Sequence, residues 1–433
     1  MSDEPDSSAP TSRLGGLHRL SHAERLDLIA EKAGVDRAAL DEIARNQGLE
    51  FELLDRMIEN VIGSYTQPIG LATNLILDGR EVVVPMASEE SSVVAAVCNA
   101  ARLCRETGGV HSDTSGSEMI AQVQILDVPD PAHARLVLLR RREEIMRRCN
   151  ECDPVLVRHG GGARDVEVRI VPARTGAMVV VHLIVDTRDA MGANSVNTMA
   201  ETLAPALAEW TGGRSHLRIL SNLADRRLAR AHALWPAEAL GGEAVVDAIV
   251  SAYEFALADP YRAATHNKGI MNGISAVMLC TGNDTRAIEA GAHAYAARHG
   301  QYGPLSVFEK TAGGDLAGSL ELPMACGIIG GATRLHPTAA ACLKVMQVER
   351  AEQLARIAVA VGLCQTFAAV RALSTVGIQK GHMALHAQNV AVAAGAAGEE
   401  VAQVAAELVN LGTVRQDVAE KVLADLRSGK GAE

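Results

Sequence analysis

A lysine among small and polar residues is the part of the sequence best suited to chemistry. Lys268 follows His266 and Asn267 and precedes a glycine in the stretch YRAATHNKGIMNG. Glycine lets a ligand approach the backbone closely, and a fixed ammonium suits a carbonyl oxygen that becomes negative during a reaction. An isolated lysine is more often a surface residue beside a helix cap. Arg262 and Asn272 in the same stretch favour a site.

Other side chains that could move protons lie elsewhere in the chain. Glu89 and Glu90 follow a predicted strand, where mutual repulsion and burial can raise the pKa of a carboxyl group. Two solvated glutamates beside a helix cap are the alternative. Asp284 follows Lys268 after one apolar run, and we expect the chain to fold back and bring the two together. His382, taken alone, has the features of a surface histidine.

Composition narrows the possible partners and compartment. The net charge of -11 and the pI of 5.7 argue against nucleic acid as the main partner. The N-terminus has no secretory signal pattern, and no uninterrupted apolar run is long enough to cross a bilayer, so we expect a soluble, cytoplasmic protein. The eight cysteines include only one close pair, Cys149 and Cys152, which favours neither a disulfide framework nor a metal site.

The length of 433 residues predicts more than one domain. We expect an α+β multidomain fold with a mostly helical large domain around a buried central helix, Ala351–Ser374. Alternating strands and helices predict an inserted small α+β domain, ferredoxin-like and with an antiparallel sheet. The predicted divisions are a disordered tail over 1–16, the large domain over 17–116 and 223–376, the small domain over 117–222, and a mobile helical flap over 377–433.

Short-range patterns predict the local structure of three segments. Asp78-Gly79 predicts a hairpin between two strands. The segment Leu223–Ala258 is predicted to be largely helical. Asp189–Asn194 is a loop that ends at a helix N-terminus, a place that suits a pyrophosphate. The residues alone favour an ordinary connection between strand and helix there, and G-x-G-x-x-G is absent from the chain.

Several longer motifs resemble those of class II hydroxymethylglutaryl-CoA reductases, the soluble bacterial type. They follow the family's order over nearly the whole chain after residue 20. Two departures are Ser91, where the family commonly has proline, and Arg334-Leu335, where it usually has lysine and a polar residue. The motifs are ENVIG at Glu59–Gly63, VP…EE at Val84–Glu90, DAMGAN at Asp189–Asn194, ATHNKGIMNG at Ala264–Gly273, TGND at Thr281–Asp284, GGAT at Gly330–Thr333 and GHMALHA at Gly381–Ala387.

The resemblance implies a two-hydride reduction of a CoA thioester to mevalonate and free CoA, in isoprenoid metabolism, or the reverse oxidation. Lys268 would hold the oxyanion, Glu90 would protonate the aldehyde oxygen, and Asp284 would join the two in one network. His382 on the flap would protonate the departing thiolate. Contacts with the hydroxymethylglutaryl group and CoA would come from Ser92, Arg262, Asn272, Glu59 and Asn60.

The resemblance also implies a nicotinamide cofactor on the small domain, at Asp189, Met191, Gly192 and Asn194. We expect NAD(H) rather than NADP(H), because NAD-preferring members have an aspartate where this chain has Asp153, and a carboxylate repels a 2′-phosphate. The alternatives are that Asp153 merely caps a helix, that Glu151 serves instead, or that neighbouring arginines receive a phosphate: Arg147, Arg148 and Arg158.

The family forms homodimers in which two subunits build each active site, with a trimer of dimers as a further assembly. The resemblance therefore implies a dimeric enzyme with CoA as part of its substrate and no metal. Two rival functions stay open. One is a non-catalytic CoA- or nucleotide-binding assembly protein on the same scaffold, and the other is a CoA-dependent acyl transferase. The second would need a nucleophilic cysteine, and Cys280 lies in an apolar run.

Overall fold

A computed structural model describes residues 9–17, 20, 22–45, 48–50, 53, 56–57, 65–375 and 378–428, with the backbone alone at 22, 43–45, 332 and 378–385. The helices are α1 His22–Ala33, α2 Arg37–Arg45, α3 Val93–Leu103, α4 Pro131–Arg140, α5 Arg142–Cys152, α6 Pro154–Arg158, α7 Ala193–Thr211, α8 Ala237–Leu240, α9 Glu243–Ala258, α10 Pro260–Cys280, α11 Thr285–Ala296, α12 Gly331–Leu335, α13 Pro337–Val345, α14 Ala351–Ser374, α15 Ile378–Ala393, α16 Glu399–Asn410 and α17 Gln416–Arg427.

The strands form two separate sheets. Six strands pair in the order β2-β1-β3-β8-β10-β9, and four antiparallel strands pair in the order β5-β6-β4-β7. The hairpin predicted at Asp78-Gly79 is confirmed, because β1 and β2 pair directly across it. The bounds are β1 Ile69–Leu77, β2 Arg80–Ala87, β3 Val110–Thr114, β4 Glu118–Leu126, β5 Gly162–Val171, β6 Met178–Asp186, β7 Arg214–Ser221, β8 Leu228–Trp235, β9 Ser306–Lys310 and β10 Leu316–Pro323.

The four-stranded sheet has its own apolar core. Alternate residues of β4 and β6, such as Val123 and Leu183, face helices α4, α5 and α7 and are fully buried. Trp210, on α7, packs against the edge of this core, and its ring lies under the guanidinium groups of Arg141 and Arg148 at 4.5 Å and 5.0 Å. The segment 118–221 therefore has the antiparallel α+β architecture that the sequence predicts.

Helix α14 lies at the centre of the larger core, as predicted. Its bounds are those expected, and it is buried along most of its length. Gly362 of α14 lets Ile270 and Ile274 of α10 approach closely, since an added Cβ would lie 2.8 Å from Ile274 Cδ1. The ring of Phe367 stacks on that of Trp235 from β8 with centroids 4.0 Å apart.

Two predictions about the ends of the large domain are wrong. Residues 9–16 do not form a disordered tail, because Ser12 is 1% exposed, bonds to Glu81 and accepts a hydrogen bond from Asn74 N at 2.6 Å. Residues 1–8 lie outside the described chain. The segment Leu223–Ala258 is not continuous helix either, since β8 occupies Leu228–Trp235 and pairs on both edges.

The last three helices pack mainly on one another. A separate apolar cluster from Ala387 to Leu423 joins α15, α16 and α17, and α15 has a small contact with α14. Helix α15 begins at Ile378, so Gly381 lies within a helix.

Candidate active site

Lys268 lies on the exposed face of α10 and reaches the end of β2. Pro260 at the first helical position and the Asp259 side chain, which accepts from Tyr261 N at 3.1 Å, begin this helix. The Lys268 Nζ atom is 3.2 Å from Glu90 Oε2, and the two side chains are 62% and 43% exposed. The structure thus brings two of the four predicted catalytic residues together, in a place that a substrate can reach.

The two residues before Lys268 are buried and hold α10 in position. Asn267 donates to the Tyr302 hydroxyl at 3.0 Å and accepts from Leu305 N at 2.9 Å. His266 Nε2 is 2.6 Å from Ser306 Oγ, while its Nδ1 atom is buried without a partner among the described residues. Burial and then the neighbouring Arg262 lower the pKa of His266 to about 4. His266 and Asn267 therefore anchor α10 to the core, whereas Lys268 is presented to solvent.

Asn272 and Arg262 lie on different faces of α10. Asn272 follows Lys268 by one turn and shares its face. Arg262 precedes Lys268 by six residues, which places it about 120° around the axis. Arg262 is half-buried and has no ion pair among the described residues, and burial lowers the pKa of its guanidinium. Such a cation is suited to a carboxylate, but it does not point where Lys268 points.

Asp284 does not fold back towards Lys268, which corrects the prediction. Helix α10 runs without a break to Cys280, so the axial distance from Lys268 to the end of the helix is about 18 Å. Lysine and aspartate side chains together do not span that distance. Asp284 instead caps α11 by accepting from the amides of Arg286 and Ala287 at 3.1 Å, and it pairs with the Arg286 guanidinium at 3.3 Å.

Ser92 stands immediately before α3 in an unusual backbone conformation. Its φ is 75°, a left-handed value that costs energy for a residue with a Cβ. Its side chain makes no capping hydrogen bond to this helix. Glu59 and Asn60 lie outside the described residues, and His382 lies on α15 where only the backbone is described. These three assignments stay predictions.

The predicted cofactor residues cluster around the start of α7. We call residues 187–194 the cofactor loop. Gly192 stands before the first residue of α7 with a φ of 96°, and an added Cβ would lie 2.3 Å from Thr187 Cγ2, so only glycine fits. Asn194, in the first turn of that helix, is exposed, and Met191 is half-buried. The open amides at this helix start are a suitable place for an anion.

Two carboxylates flank the cofactor loop. Asp153 accepts from Leu156 N and from Ser195 Oγ, each at 2.9 Å, which places it beside the start of α7. Its capping of α6 agrees with the alternative interpretation, but its position beside the loop does not follow from capping. Asp189 accepts from Ala351 N, at the start of α14, at 2.8 Å. The sequence assigned Asp189 to the cofactor, whereas its carboxylate here caps the central helix.

Three of the charged neighbours of Asp153 are already paired, whereas Arg158 is exposed and has no ion pair among the described residues. Glu151 pairs with Arg147 on the exposed face of α5. Arg148 pairs with Glu144 at 2.6 Å and lies over the Trp210 ring. Asp153 contacts the first turn of α7 through Ser195, and its role towards a cofactor stays a prediction.

Arg227 is a functional candidate that the sequence pattern did not indicate. Arg227 is buried between the cofactor loop and the segment after β10, where it donates to Ala190 O at 3.0 Å and to Cys326 O at 2.6 Å. In the sequence it is one of two adjacent arginines, Arg226 and Arg227, before an alternating stretch, and no pattern distinguishes the buried one from the exposed one. Only the pairing of β8 with strands far along the chain decides which arginine is inside.

The described part of the chain offers little for a metal or a membrane. No group of three or more histidine, cysteine, aspartate or glutamate side chains that could hold a metal occurs among the described residues. One described helix, Ala351–Ser374, is long and apolar enough to cross a bilayer by length and composition alone. Most of it is buried inside the protein, as the core helix of a globular protein would be.

Comparisons with known sequences place the chain in one family. A family profile described as hydroxymethylglutaryl-coenzyme A reductase matches residues 21–387. The 3-hydroxy-3-methylglutaryl-coenzyme A reductase of Archaeoglobus fulgidus is 54% identical over 420 residues, which are 97% of this chain and 96% of that protein. A probable reductase of the same name from Borreliella burgdorferi is 35% identical over 349 residues, 78% of each chain.

Solved structures give the same result. The reductase of Streptococcus pneumoniae matches with a TM-score of 0.82 at 38% identity, over 95% of this chain and 99% of that chain. The class II enzyme of the same organism, solved with NADPH in open conformations, matches with a TM-score of 0.80, at 38% identity and over 94% and 100% of the two chains. The chain therefore belongs to the hydroxymethylglutaryl-coenzyme A reductase family and has the fold of its class II members.

Proposed function

We propose that this reductase converts hydroxymethylglutaryl-CoA to mevalonate and CoA, and can run in reverse, through the residues that meet at the end of β2. The observation that carries this assignment is the exposed pair of Lys268 Nζ and Glu90 Oε2, 3.2 Å apart. The ammonium stabilises the oxyanion that forms when a hydride reaches the thioester carbonyl. Glu90, beside it, donates a proton to the aldehyde oxygen in the second reduction.

His382 acts between the two reductions in this proposal. The hemithioacetal of mevaldehyde must release CoA as a thiolate, which needs a proton to leave readily. A histidine can hold that proton near neutral pH. The C-terminal helices, residues 377–433, are the mobile flap that brings His382 to the substrate, while Ser92, Arg262 and Asn272 contact the hydroxymethylglutaryl group and Glu59 and Asn60 line the CoA side.

We propose that the active site is shared between two subunits. Asp284 cannot reach Lys268 of its own chain across about 18 Å of continuous helix. Asp284 of the partner subunit would supply the missing carboxylate. Residues 117–222 of one subunit would then present the nicotinamide cofactor to the large domain of the other, formed by 17–116 and 223–376. A trimer of such dimers is a further possible assembly, in a soluble, cytoplasmic enzyme.

Two reduced nicotinamide molecules, bound one after the other, would supply one hydride each. The start of α7 fits such a group, because no side chain of this chain caps its first amides, which can therefore donate to a pyrophosphate. We propose NAD(H) as the preferred form, through the Asp153 carboxylate. A related structure, the S. pneumoniae enzyme, was solved with NADPH, so the choice rests on Asp153 alone.

Turnover with each cofactor tests both parts of the proposal. The purified protein should oxidise reduced nicotinamide in the presence of hydroxymethylglutaryl-CoA, followed by its absorbance, with a higher kcat/KM for NADH than for NADPH. Asp153→Ala should narrow that ratio, and Glu151→Ala, which removes a carboxylate paired with Arg147, should leave it unchanged. CoA binding without turnover would favour the non-catalytic alternative. An unchanged ratio in Asp153→Ala would remove that residue from the site.

A further inference from the structure

Arg227 is a buried charge whose guanidinium makes no ion pair with any of the described residues. The side chain is 4% exposed, and it donates to Thr187 Oγ1 and Ala190 O at 3.0 Å each. It also donates to Arg188 O at 3.4 Å and to Cys326 O at 2.6 Å. Burial lowers the pKa of the guanidinium. Burying a charge in this way is costly unless its donors are satisfied.

The acceptors of Arg227 come from two parts of the chain. Three of them belong to the cofactor loop, and the fourth, Cys326 O, follows strand β10. Arginine carries five donors in a rigid planar fork, which lysine lacks. Only an arginine can therefore hold both parts at once from this position.

The cofactor loop lies along the segment 326–329 in other ways as well. Ile328 N donates to Asp189 O at 2.9 Å, and Ala190 forms a parallel bridge with Ile329. Gly327 allows this approach, since an added Cβ would lie 2.5 Å from Met191 N. The loop is thus fixed to a short stretch of the large body by backbone contacts that depend on close packing.

The same stretch also holds the turn that precedes Asp284. Gly327 N donates to Asn283 Oδ1 at 2.7 Å, and Thr333 Oγ1 donates to Gly282 O at 3.5 Å. One segment therefore contacts the cofactor loop on one side and the Gly282–Asp284 turn on the other.

We propose that Arg227 is a positioning residue that holds the cofactor loop on segment 326–329, while Asn283 holds that segment on the turn of Asp284. The two residues together keep the cofactor and the Asp284 carboxylate of one chain at a fixed relative position. The inference rests on the proposed function, because it takes the loop as the cofactor site. Both residues act through the backbone they bind and touch neither substrate nor cofactor.

Kinetics of Arg227→Lys, with Arg227→Met as the stronger change, test this role. Arg227→Lys should raise KM for the nicotinamide cofactor and lower kcat, with a combined loss of about 10²-fold, as small misplacements of a bound reactant produce. KM for the thioester should not change. Arg230→Met is the control, because Arg230 lies three residues further along the chain, in β8, and pairs with Glu321 and Asp113 at the surface. A loss in kcat with both KM values unchanged would show a merely structural role and overturn the proposal.

Hydrogen exchange of the protein without ligands separates this inference from the proposed function. Arg227→Lys should speed exchange of the Ile328 amide about tenfold, the effect of losing roughly one hydrogen bond. Asn283→Ala should do the same for the Gly327 amide, and Arg230→Met should change neither. If the variants show faster exchange but the protein reduces no thioester, the positioning role of Arg227 and Asn283 is supported and the reductase proposal is refuted. If the wild type is active but Arg227→Lys changes neither the exchange of the Ile328 amide nor KM for the cofactor, the positioning role of Arg227 is refuted.

Discussion

His266 and Lys268 are two residues apart in the chain and have opposite environments. The imidazole is 2% exposed and packs against β9, whereas the ammonium stands in solvent beside Glu90. The helical period of α10 separates them, since two positions differ by about 200° around the axis. The short polar motif thus contains both the anchor of the helix and the group that the helix presents.

Replacing Lys268 should separate binding from chemistry. Lys268→Ala should lower kcat about 10²–10³-fold, because the oxyanion loses its donor, and should leave CoA affinity largely unchanged. Steady-state rates and CoA titrations measure the two effects. Lys310→Ala is a suitable control, since Lys310 pairs with Glu243 and Asp247 at the surface. A variant that kept more than about a tenth of wild-type turnover would refute the assigned role.

His266 should make the protein sensitive to moderate acid. Its pKa falls from 6.5 to about 4 in the folded protein, so the unfolded chain binds the proton more readily between these values. The free energy of unfolding should therefore decrease as pH falls from 6.5 towards 4, by up to about 3 kcal/mol from this residue. Urea unfolding at several pH values measures the slope, which should be shallower in His266→Gln.

At the scale of elements, the contact between α10 and α14 depends on small residues. Gly362 faces Ile270 and Ile274, and Gly273 faces Val361 and Gln365. Such positions let two helices approach until backbone and side chain meet, which fixes the direction of Lys268 relative to the core. Close packing of this kind tolerates added atoms poorly.

Adding one methyl group at this contact should destabilise the protein. In Gly362→Ala the new Cβ would lie 2.8 Å from Ile274 Cδ1, and overpacking of about 1–3 kcal/mol should exceed the gain of about 1 kcal/mol in helix propensity. Gly269→Ala is the matched control, because nothing lies within 4 Å of its added Cβ. Urea unfolding at a fixed protein concentration compares the two. Equal stability of both variants would contradict the packing argument.

Elements whose formation is local were predictable, and those decided by distant pairing were not. The hairpin at Asp78-Gly79 and the apolar helix α14 carry their information within a few residues. Strand β8, LARAHALW, reads as helical because alanine and arginine favour helix, and only β3 and β10 on either side make it a strand. The same limit explains Asp284, whose position depends on α10 continuing unbroken past the glycines.

At the scale of the whole molecule, the C-terminal helices have an apolar core of their own. Among the described side chains, this core contains residues from 387 to 423 and none from the central helix. A group of elements with its own core can move as a unit when few contacts hold it. This arrangement agrees with the flap that the sequence predicted, although its role in catalysis stays a prediction.

Removing residues 376–433 should therefore spare the fold and abolish the overall reaction. The shortened protein should show the far-UV circular dichroism of its remaining helices and strands and should melt cooperatively, because the core around α14 remains intact. Reduction of the thioester should fall by about 10²–10⁴-fold with the loss of the thiolate's acid. Reduction of free mevaldehyde, from which no thiolate leaves, should suffer much less. Equal losses with both substrates would show that the segment does not serve thiolate release.

The two tryptophans provide one intrinsic fluorophore for each sheet. Trp235 is wholly buried against Phe367 in the large core, and Trp210 lies beneath two arginines at the edge of the smaller one. Because the chain contains no other tryptophan, Trp210→Phe leaves emission from the large core alone, and Trp235→Phe leaves emission from the smaller one alone. Emission spectra of these single-tryptophan proteins during unfolding would report whether the two cores melt together or one after the other.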